Sequence, residues 1–109
     1  MAAVADGPGG GGWWLVTGAN KGIGYSIAQT LLERGCNVLL GSRDTGRGEA
    51  AVAQLTAADP SFAGRVQMVQ LDVVDAASIA ACVETVTAKL GEGKLAGIVN
   101  NAGGADGMG

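Results

Sequence analysis

Four short apolar runs, separated by segments with helical periodicity, dominate the sequence. The runs are "WWLVT" at 13–17, "NVLLG" at 37–41, "VQMVQL" at 66–71 and "LAGIV" at 95–99. Such runs are typical of strands that are buried on both faces of a parallel sheet. The sequence therefore predicts the order β-α-β-α-β-α-β, with right-handed crossovers and a parallel sheet.

Each intervening segment carries the signals of a helix. Apolar residues recur at helical spacing in all three: Ile23, Ile27 and Leu31; Ala51, Val52 and Leu55; and Ile79, Val83, Val86 and Leu90. Arg34-Gly35 and Asp59-Pro60 are typical of the ends of the first two helices. Asp75 is expected to cap the start of the third helix, which ends before Gly91.

Length and composition exclude several classes of protein. The chain has 109 residues, enough for one small domain, and its 48% apolar and 16% charged residues do not suit a disordered chain. The net charge of −3 argues against nucleic acid or an anionic membrane as the main partner. There is no histidine, and the two cysteines, Cys36 and Cys82, form no CxxC pair, so no metal site is expected and both are expected to be buried thiols.

The two ends of the chain differ in composition from the part between them. The glycine-rich leader at 1–12 lacks the features of a secretory signal or a transit peptide, and the tail at 104–109 has no periodic pattern. We expect both to be flexible and the domain to occupy 13–103. No apolar run approaches the roughly 18 residues of a membrane span, so the cytoplasm is the expected location.

The stretch "TGANKGIG", Thr17 to Gly24, lies between the first predicted strand and the first predicted helix. At such a turn glycines permit the tight bend, the close approach of phosphates and the packing of helix on strand, while the helix start faces the anion. Gly18, Gly22 and Gly24 can fill these roles. The alternative is a plain loop, since glycine makes up 20 of the 109 residues. The flanking strand and helix favour binding of a dinucleotide pyrophosphate.

Basic residues follow the second predicted strand, where this kind of fold meets the adenosine ribose. An acidic residue there favours NAD, and a basic one accommodates the 2′-phosphate of NADP. Ser42 and Arg43 occupy this place, Lys21 in the glycine turn is expected nearby, and Asp44, one step further, is expected to point away. Charge-assisted hydrogen bonds from these groups would each contribute about 1.5–3 kcal/mol. The alternative is that Arg43 is only a solvated loop charge.

These motifs together resemble the short-chain dehydrogenase/reductase family. "TGANKGIG" is similar to its Thr-Gly-x-x-x-Gly-x-Gly motif, and "LDV" at 71–73 and "NNAG" at 100–103 match two further signatures. Taken together, "VTGANKGIG" at 16–24, "SRDTGRGEAAV" at 42–52 and "VNNAG" at 99–103 are most similar to the NADPH-dependent carbonyl reductases. The resemblance covers 13–103 and implies a partial three-layer α/β Rossmann-type fold, with about four parallel strands in the order 3-2-1-4, helices on both faces, and NADP(H) as cofactor.

The resemblance also implies roles for individual residues. Asp72 would accept a hydrogen bond from the adenine amino group, and Val73 would supply a main-chain contact. Asn100, Ala102 and Gly103 would lie beside the ribose, whereas Asn101 would either join them or brace neighbouring strands. The full expected set of cofactor-binding residues is Gly18, Asn20, Lys21, Gly22, Ile23, Gly24, Ser42, Arg43, Asp72, Val73, Asn100, Asn101, Ala102 and Gly103.

The catalytic residues of the family have no counterpart in these 109 residues. The family uses a serine and a tyrosine with a lysine four residues on, because a phenol needs a nearby cation to exchange protons at neutral pH. The single tyrosine, Tyr25, lies in the first predicted helix and is followed four residues later by Gln29. We therefore expect this chain to be the NADP(H)-binding part of a carbonyl-reductase-like oxidoreductase, and to be inactive alone. The alternatives are a non-catalytic dinucleotide-binding or subunit-pairing module, or a truncated product without an independent role.

The predicted sheet also leaves surface uncovered. In the order 3-2-1-4 the fourth strand is an exposed edge, and a single helix covers the second face, so part of that face is expected to be bare apolar surface. Trp13 and Trp14 point to opposite faces of their strand and are expected to be core or rim residues, or to shield both faces.

Overall fold

A four-stranded parallel sheet with helices on both faces forms the core of the computed structural model, which describes residues 12–90 and 95–101. The elements are β1 (Trp13–Val16), α1 (Gly22–Glu33), β2 (Asn37–Ser42), α2 (Thr45–Ala58), a 3-10 turn (Pro60–Phe62), β3 (Val66–Gln70), α3 (Ala76–Leu90) and β4 (Leu95–Val99). The strand order is β3-β2-β1-β4 and all pairings are parallel. The predicted α/β fold is thus confirmed. The predictions for the leader up to residue 11, for Gly91, for Ala102 and Gly103 and for the tail lie outside the described residues.

Two apolar clusters lie on the two faces of the sheet. The buried members on the face of α1 and α2 are Val16, Ala19, Ala28, Leu32, Val38, Leu40, Ala51, Leu55, Phe62 and Val66. The buried members on the face of α3 are Trp13, Leu15, Leu39, Val69, Leu71 and Cys82. All six residues of β2 are buried, because this strand lies between β1 and β3 and carries helices on both sides. The clusters account for the three layers and for the continuous apolar runs in the sequence.

The buried face of α1 is displaced by one residue from the apolar stripe seen in the sequence. Its buried residues are Gly24, Ala28 and Leu32. Ile23 is 73% exposed, and Ile27 with Leu31 lines an open groove of about 620 Å³ along the outer side of the helix. Among the described residues no second element packs over this groove. The apolar stripe of α1 is therefore only partly buried. The helix itself is confirmed, while its apolar stripe does not coincide with its core face.

Helix α3 shows the same displacement. Its buried residues are Ser78 and Cys82, while Ile79 and Val83 are 41% and 59% exposed. The helix packs most closely on β3, at one end of the sheet. Ile98 of β4 pairs with Leu15, which places it on the same face, and it is 61% exposed. The expected bare apolar surface on this face is therefore confirmed.

The two tryptophans lie on opposite faces of β1. Trp13 is 7% exposed and belongs to the cluster beneath α3. Trp14 is half-buried and lies over Gly97 of β4, where an added Cβ would come within 2.4 Å of its ring. The absence of a side chain at Gly97 therefore makes room for the indole. The expectation of core or rim residues is confirmed.

The ends of the helices are held by specific contacts. Asp44 Oδ1 accepts from the Arg47 N–H at 2.9 Å and caps α2, and Asp75 Oδ1 accepts from Ala77 N–H at 3.0 Å and caps α3 as predicted. At the far end of α1 the guanidinium of Arg65 donates to the carbonyls of Leu32 and Cys36. These contacts fix where each helix begins or ends, and so where the connecting loops lie. Within the described residues, no helix has the length and apolar character needed to cross a membrane.

Candidate cofactor site

The candidate site lies where the four strands end. Because all four strands are parallel, the loops that follow them emerge at one edge of the sheet. The glycine turn follows β1, Arg43 follows β2, Asp72 follows β3, and Asn100 follows β4. This edge is the usual ligand-binding crevice of an open parallel sheet. The predicted residues that the structure describes are thus brought to one edge.

Three glycines of the turn have different geometric roles. Gly18 and Gly22 have φ of 59° and 61°, the left-handed region that other residues avoid. A Cβ on Gly24 would lie 2.3 Å from the Gly18 carbonyl oxygen, so Gly24 permits the close packing of α1 on the turn. A Cβ on Gly22 would meet nothing within 4 Å. The structure thus gives Gly24 a packing role and leaves open space beside Gly22.

The N-terminus of α1 differs from those of the other two helices. Lys21, at the N-cap position, has extended backbone and makes no side-chain cap hydrogen bond, and the first turn contains no acidic residue. Helices α2 and α3 have the carboxylates of Asp44 and Asp75 at this position. The first N–H groups of an α-helix have no partner within the helix and carry its positive dipole end. At α1 these donors remain without a side-chain cap among the described residues, which suits an anionic ligand.

A hydrogen-bonded brace holds the turn against the end of β4. The Thr17 hydroxyl accepts from the Asn101 N–H at 2.8 Å and donates to Asn100 Oδ1 at 3.2 Å. The Asn101 side chain donates from Nδ2 to the Gly18 carbonyl at 3.3 Å. Of the two expected roles for Asn101, the brace between strands is therefore observed. Sequence reasoning did not single out Thr17, although its place at the start of the motif, next to the strand end, was the available signal.

The end of β2 presents one buried polar residue and one exposed cation. Ser42 is 1% exposed, and its hydroxyl donates to the Asp44 carbonyl at 2.8 Å. Ser42 therefore shapes the turn into α2, and a contact with a phosphate would require this bond to break. Arg43 is exposed, as is Lys21 in the glycine turn. Asp44 caps α2 with its side chain, which agrees with the expectation that it turns away.

The loop after β3 is held by its own hydrogen bonds. Asp72 is half-buried, its Oδ1 accepts from the Val74 N–H at 3.1 Å, and its own N–H donates to the Ser78 hydroxyl at 2.8 Å. Val73 packs against the apolar cluster beneath α3. The remaining expected contacts of the turn, Asn20 and Ile23, are half-buried and exposed respectively. The arrangement fixes the backbone of Asp72 at the site edge.

Among the described residues, the two thiols are buried and the tyrosine is half-buried. Burial raises the pKa of the Cys82 thiol, which disfavours the reactive thiolate. Cys36 is also buried and unpaired. In the described residues no group of three or more histidine, cysteine or acidic side chains is arranged to hold a metal ion. Tyr25 packs against the cluster beneath α1 and α2.

The comparisons with known proteins define the family. The family model described as short chain dehydrogenase matches residues 13–108. Carbonyl reductase [NADPH] 1 of Sus scrofa is 43% identical over 91 residues, which cover 81% of this chain and 29% of that protein. The chain therefore belongs to the short-chain dehydrogenase family. It spans between 27% and 29% of the lengths of the first curated relatives that it matches.

Solved structures agree with this assignment. The menthone neomenthol reductase of Mentha piperita superimposes with a TM-score of 0.78 at 44% identity, over 84% of this chain and 31% of that one. The L-sorbose reductase of Gluconobacter frateurii, solved with NADPH and L-sorbose, superimposes with a TM-score of 0.73 at 31% identity, over 85% of this chain and 34% of that one. Both of these neighbours are reductases by name.

Proposed function

We propose that this chain is the NADP(H)-binding part of a carbonyl-reductase-like oxidoreductase that acts on C=O and CH–OH groups. The observation that carries the proposal is the start of α1, where the first turn has no side-chain cap, the position beside Gly22 is open, and Lys21 is exposed at the same edge as Arg43. An uncapped helix start, at an edge of the sheet that also carries two exposed cations, suits a ligand with several phosphate groups.

Each part of the site has a distinct task in this proposal. The N–H groups at the start of α1, from Gly22 onwards, donate to the pyrophosphate. Arg43 and Lys21 pair with the 2′-phosphate, where each charge-assisted hydrogen bond contributes about 1.5–3 kcal/mol. Asp72 accepts from the adenine amino group, and Asn100 lies towards the ribose. When bound, the cofactor supplies the hydride chemistry, and these residues bind and orient it.

Two of the comparisons support NADP(H) over NAD(H). The porcine relative carries NADPH in its name, and the sorbose reductase was solved with NADPH. The carboxylate that follows β2, Asp44, is occupied in capping α2. An acidic partner for the ribose 2′-hydroxyl, which favours NAD, is therefore not offered at this point of the site.

The affinities for 2′,5′-ADP and 5′-ADP, measured by isothermal titration calorimetry, test the cofactor assignment. We expect Arg43→Ala to weaken the binding of 2′,5′-ADP about 10- to 100-fold and to change that of 5′-ADP little, because only the first ligand carries a 2′-phosphate. The matched control is Arg34→Ala, because Arg34 is also exposed but lies at the C-terminal end of α1, away from the proposed site. Because 5′-ADP carries a second 5′-phosphate that the start of α1 would bind, the deciding result is the effect of the variant: equal losses of affinity for the two ligands in Arg43→Ala would overturn the assignment.

Turnover tests the second half of the proposal. We propose that the chain alone is inactive, because its tyrosine, Tyr25, packs in a helix and is followed four residues later by Gln29 in place of a lysine. NADPH oxidation is followed at the nicotinamide absorbance band with a quinone or a reactive aldehyde as acceptor. No rate above the protein-free control is expected. A protein-dependent rate would show that another group donates the proton.

A subunit-pairing module is the second candidate, and the exposed apolar surface favours it. Ile98 lies on the edge strand β4, and Val83 of α3 is exposed on the same side of the sheet. Size-exclusion chromatography with light scattering separates the candidates: a discrete dimer or a discrete complex supports pairing, whereas polydisperse aggregate argues against it.

For either candidate we propose the cytoplasm as the location, in keeping with two free buried cysteines.

A further inference from the structure

A chain of three hydrogen bonds connects the loop after β2 to the loop after β3. The side chain of Gln70, the last residue of β3, donates from Nε2 to the Arg43 carbonyl at 3.2 Å. Its Oε1 accepts from the Ser78 hydroxyl at 3.1 Å. The Ser78 hydroxyl in turn accepts from the Asp72 N–H at 2.8 Å. We name this set, from Arg43 through Gln70 and Ser78 to Asp72, the loop bridge.

The direction of every hydrogen bond in the loop bridge is fixed by its two ends. A backbone carbonyl only accepts, so the Gln70 amide must present its NH₂ group to Arg43 and its oxygen to Ser78. A backbone N–H only donates, so the Ser78 hydroxyl accepts from Asp72 and has its one proton available for Gln70. The bridge therefore requires an amide at position 70 and a hydroxyl at position 78.

The loop bridge lies just beyond the last main-chain contacts of these two strands. The ladder between β2 and β3 ends with the pair Ser42 and Gln70, followed by one hydrogen bond from the Leu71 N–H to the Ser42 carbonyl at 2.9 Å. Arg43 and Asp72 follow these positions directly. Ser78 is 8% exposed, which protects the middle of the bridge from water. The side chains of Gln70 and Ser78 thus continue the connection that the ladder no longer supplies.

We propose that Gln70 and Ser78 are positioning residues that set the spacing between Arg43 and Asp72, and with it the selectivity for adenine nucleotides that carry a 2′-phosphate. The proposal rests on the proposed function, because it assigns Arg43 to the 2′-phosphate and Asp72 to the adenine. Gln70 acts through the Arg43 backbone, which a ligand lacking the 2′-phosphate does not require. Ser78 acts on both loops.

Calorimetry on matched variants tests this proposal through the ratio of the affinities for 2′,5′-ADP and 5′-ADP. Gln70→Met keeps the length of the side chain and removes both hydrogen bonds. We expect it to lower the affinity for 2′,5′-ADP about two- to tenfold, as for the loss of the one hydrogen bond that reaches the Arg43 carbonyl. The affinity for 5′-ADP should stay unchanged. The control is Gln67→Met, which removes a hydrogen bond to Lys89 at the other end of the same strand and helix. The control variant should keep the ratio of the unmodified chain.

A second pair of variants addresses Ser78 independently. Ser78→Ala interrupts the middle of the bridge and should weaken the binding of both ligands, with the larger loss for 2′,5′-ADP. Ser78→Thr restores a hydroxyl and should recover the ratio, which a role in packing alone would not predict. If Gln70→Met fails to fold, the Ser78 pair gives the same decision.

The outcomes separate this proposal from the one on which it rests. An Arg43→Ala variant that loses affinity equally for 2′,5′-ADP and 5′-ADP overturns the NADP(H) assignment, and the positioning role with it. A loss confined to 2′,5′-ADP in Arg43→Ala, together with an affinity ratio that is equal in Gln70→Met and Gln67→Met, keeps the NADP(H) assignment and overturns the positioning role. A ratio lowered by Gln70→Met and Ser78→Ala, but not by Gln67→Met, supports both.

Discussion

Replacing Gly22 with alanine separates binding of the cofactor from stability of the fold. Gly22 has a φ of 61°, and its added methyl group would meet nothing within 4 Å. The cost to folding is therefore backbone strain alone, about 1–2 kcal/mol for a non-glycine residue in the left-handed region. Gly64, in the turn before β3, provides the control, because its φ is 81° and its Cβ would also meet nothing within 4 Å. The two variants should lose similar free energy of unfolding.

The two variants should differ in binding. The methyl group at Gly22 enters the open space at the start of α1, where the proposed pyrophosphate approaches the backbone. Loss of one charge-assisted hydrogen bond there, about 1.5–3 kcal/mol, corresponds to a Kd for NADP⁺ raised about 10- to 100-fold. Gly64 lies just before β3 and so at the amino ends of the strands, away from the proposed site. Gly64→Ala should therefore leave the Kd unchanged.

Urea denaturation and calorimetric titration with NADP⁺ provide the two measurements. A Gly22→Ala variant that binds NADP⁺ as tightly as the unmodified chain would refute the placement of the pyrophosphate. Equal losses of affinity in both variants would show that affinity follows stability and would refute a specific role for the turn.

Two further substitutions test contacts outside the site. Arg65→Met should lower the free energy of unfolding by about 1.5–3 kcal/mol in urea denaturation, because the guanidinium donates to the carbonyls of Leu32 and Cys36; an unchanged midpoint would contradict this. Hydrogen bonds from the Ser61 side chain and backbone lower the pKa of Asp59, so its contribution to stability is present above the ordinary carboxyl pKa of about 4 and is lost as the pH falls through the lowered pKa. Asp59→Asn should therefore reduce the loss of stability on acidification in thermal melts, and identical pH profiles for the two proteins would contradict this.

The order of the elements was predictable because short apolar runs alternate in the sequence with segments of helical periodicity. The runs in β2 and β3 lack polar alternation, and the structure buries all of β2 between its neighbours and the helices. The caps are also local signals: Asp75 was identified because an acidic residue directly precedes the helical pattern. Asp44 has the same local position before α2 and caps it in the same way. Local chemistry thus accounts for where most elements begin and end.

The exact faces of the helices were not predictable in the same way. Apolar residues at helical spacing mark a stripe, but the depth of each residue depends on which neighbours cover it. Ile23 and Ile79 begin the stripes of α1 and α3, yet both are exposed, because the described residues cover only one side of each helix. The spacing of apolar residues within a helix does not indicate which of them another element will cover.

The finer organisation of the site depends on contacts between loops that are distant in the sequence. Ser42 was expected at the 2′-phosphate from its position alone, whereas its hydroxyl is engaged with the backbone of Asp44. Gln70 and Ser78 were not predictable as site residues, because an amide at the end of a strand and a serine in a helix are common. Their connection emerges only when β2, β3 and α3 come together.

The placement of NADP⁺ is tested most directly by nuclear magnetic resonance on the isotope-labelled chain. Titration with NADP⁺ should give saturable amide shifts at Gly18–Gly24, Arg43 and Asp72, with no shift at Gly64. 2′,5′-ADP should reproduce the shift at Arg43, and 5′-ADP should not. Shifts that do not saturate, or that concentrate at the edge of the sheet containing Gly64, would contradict a cofactor site at the carboxyl ends of the strands.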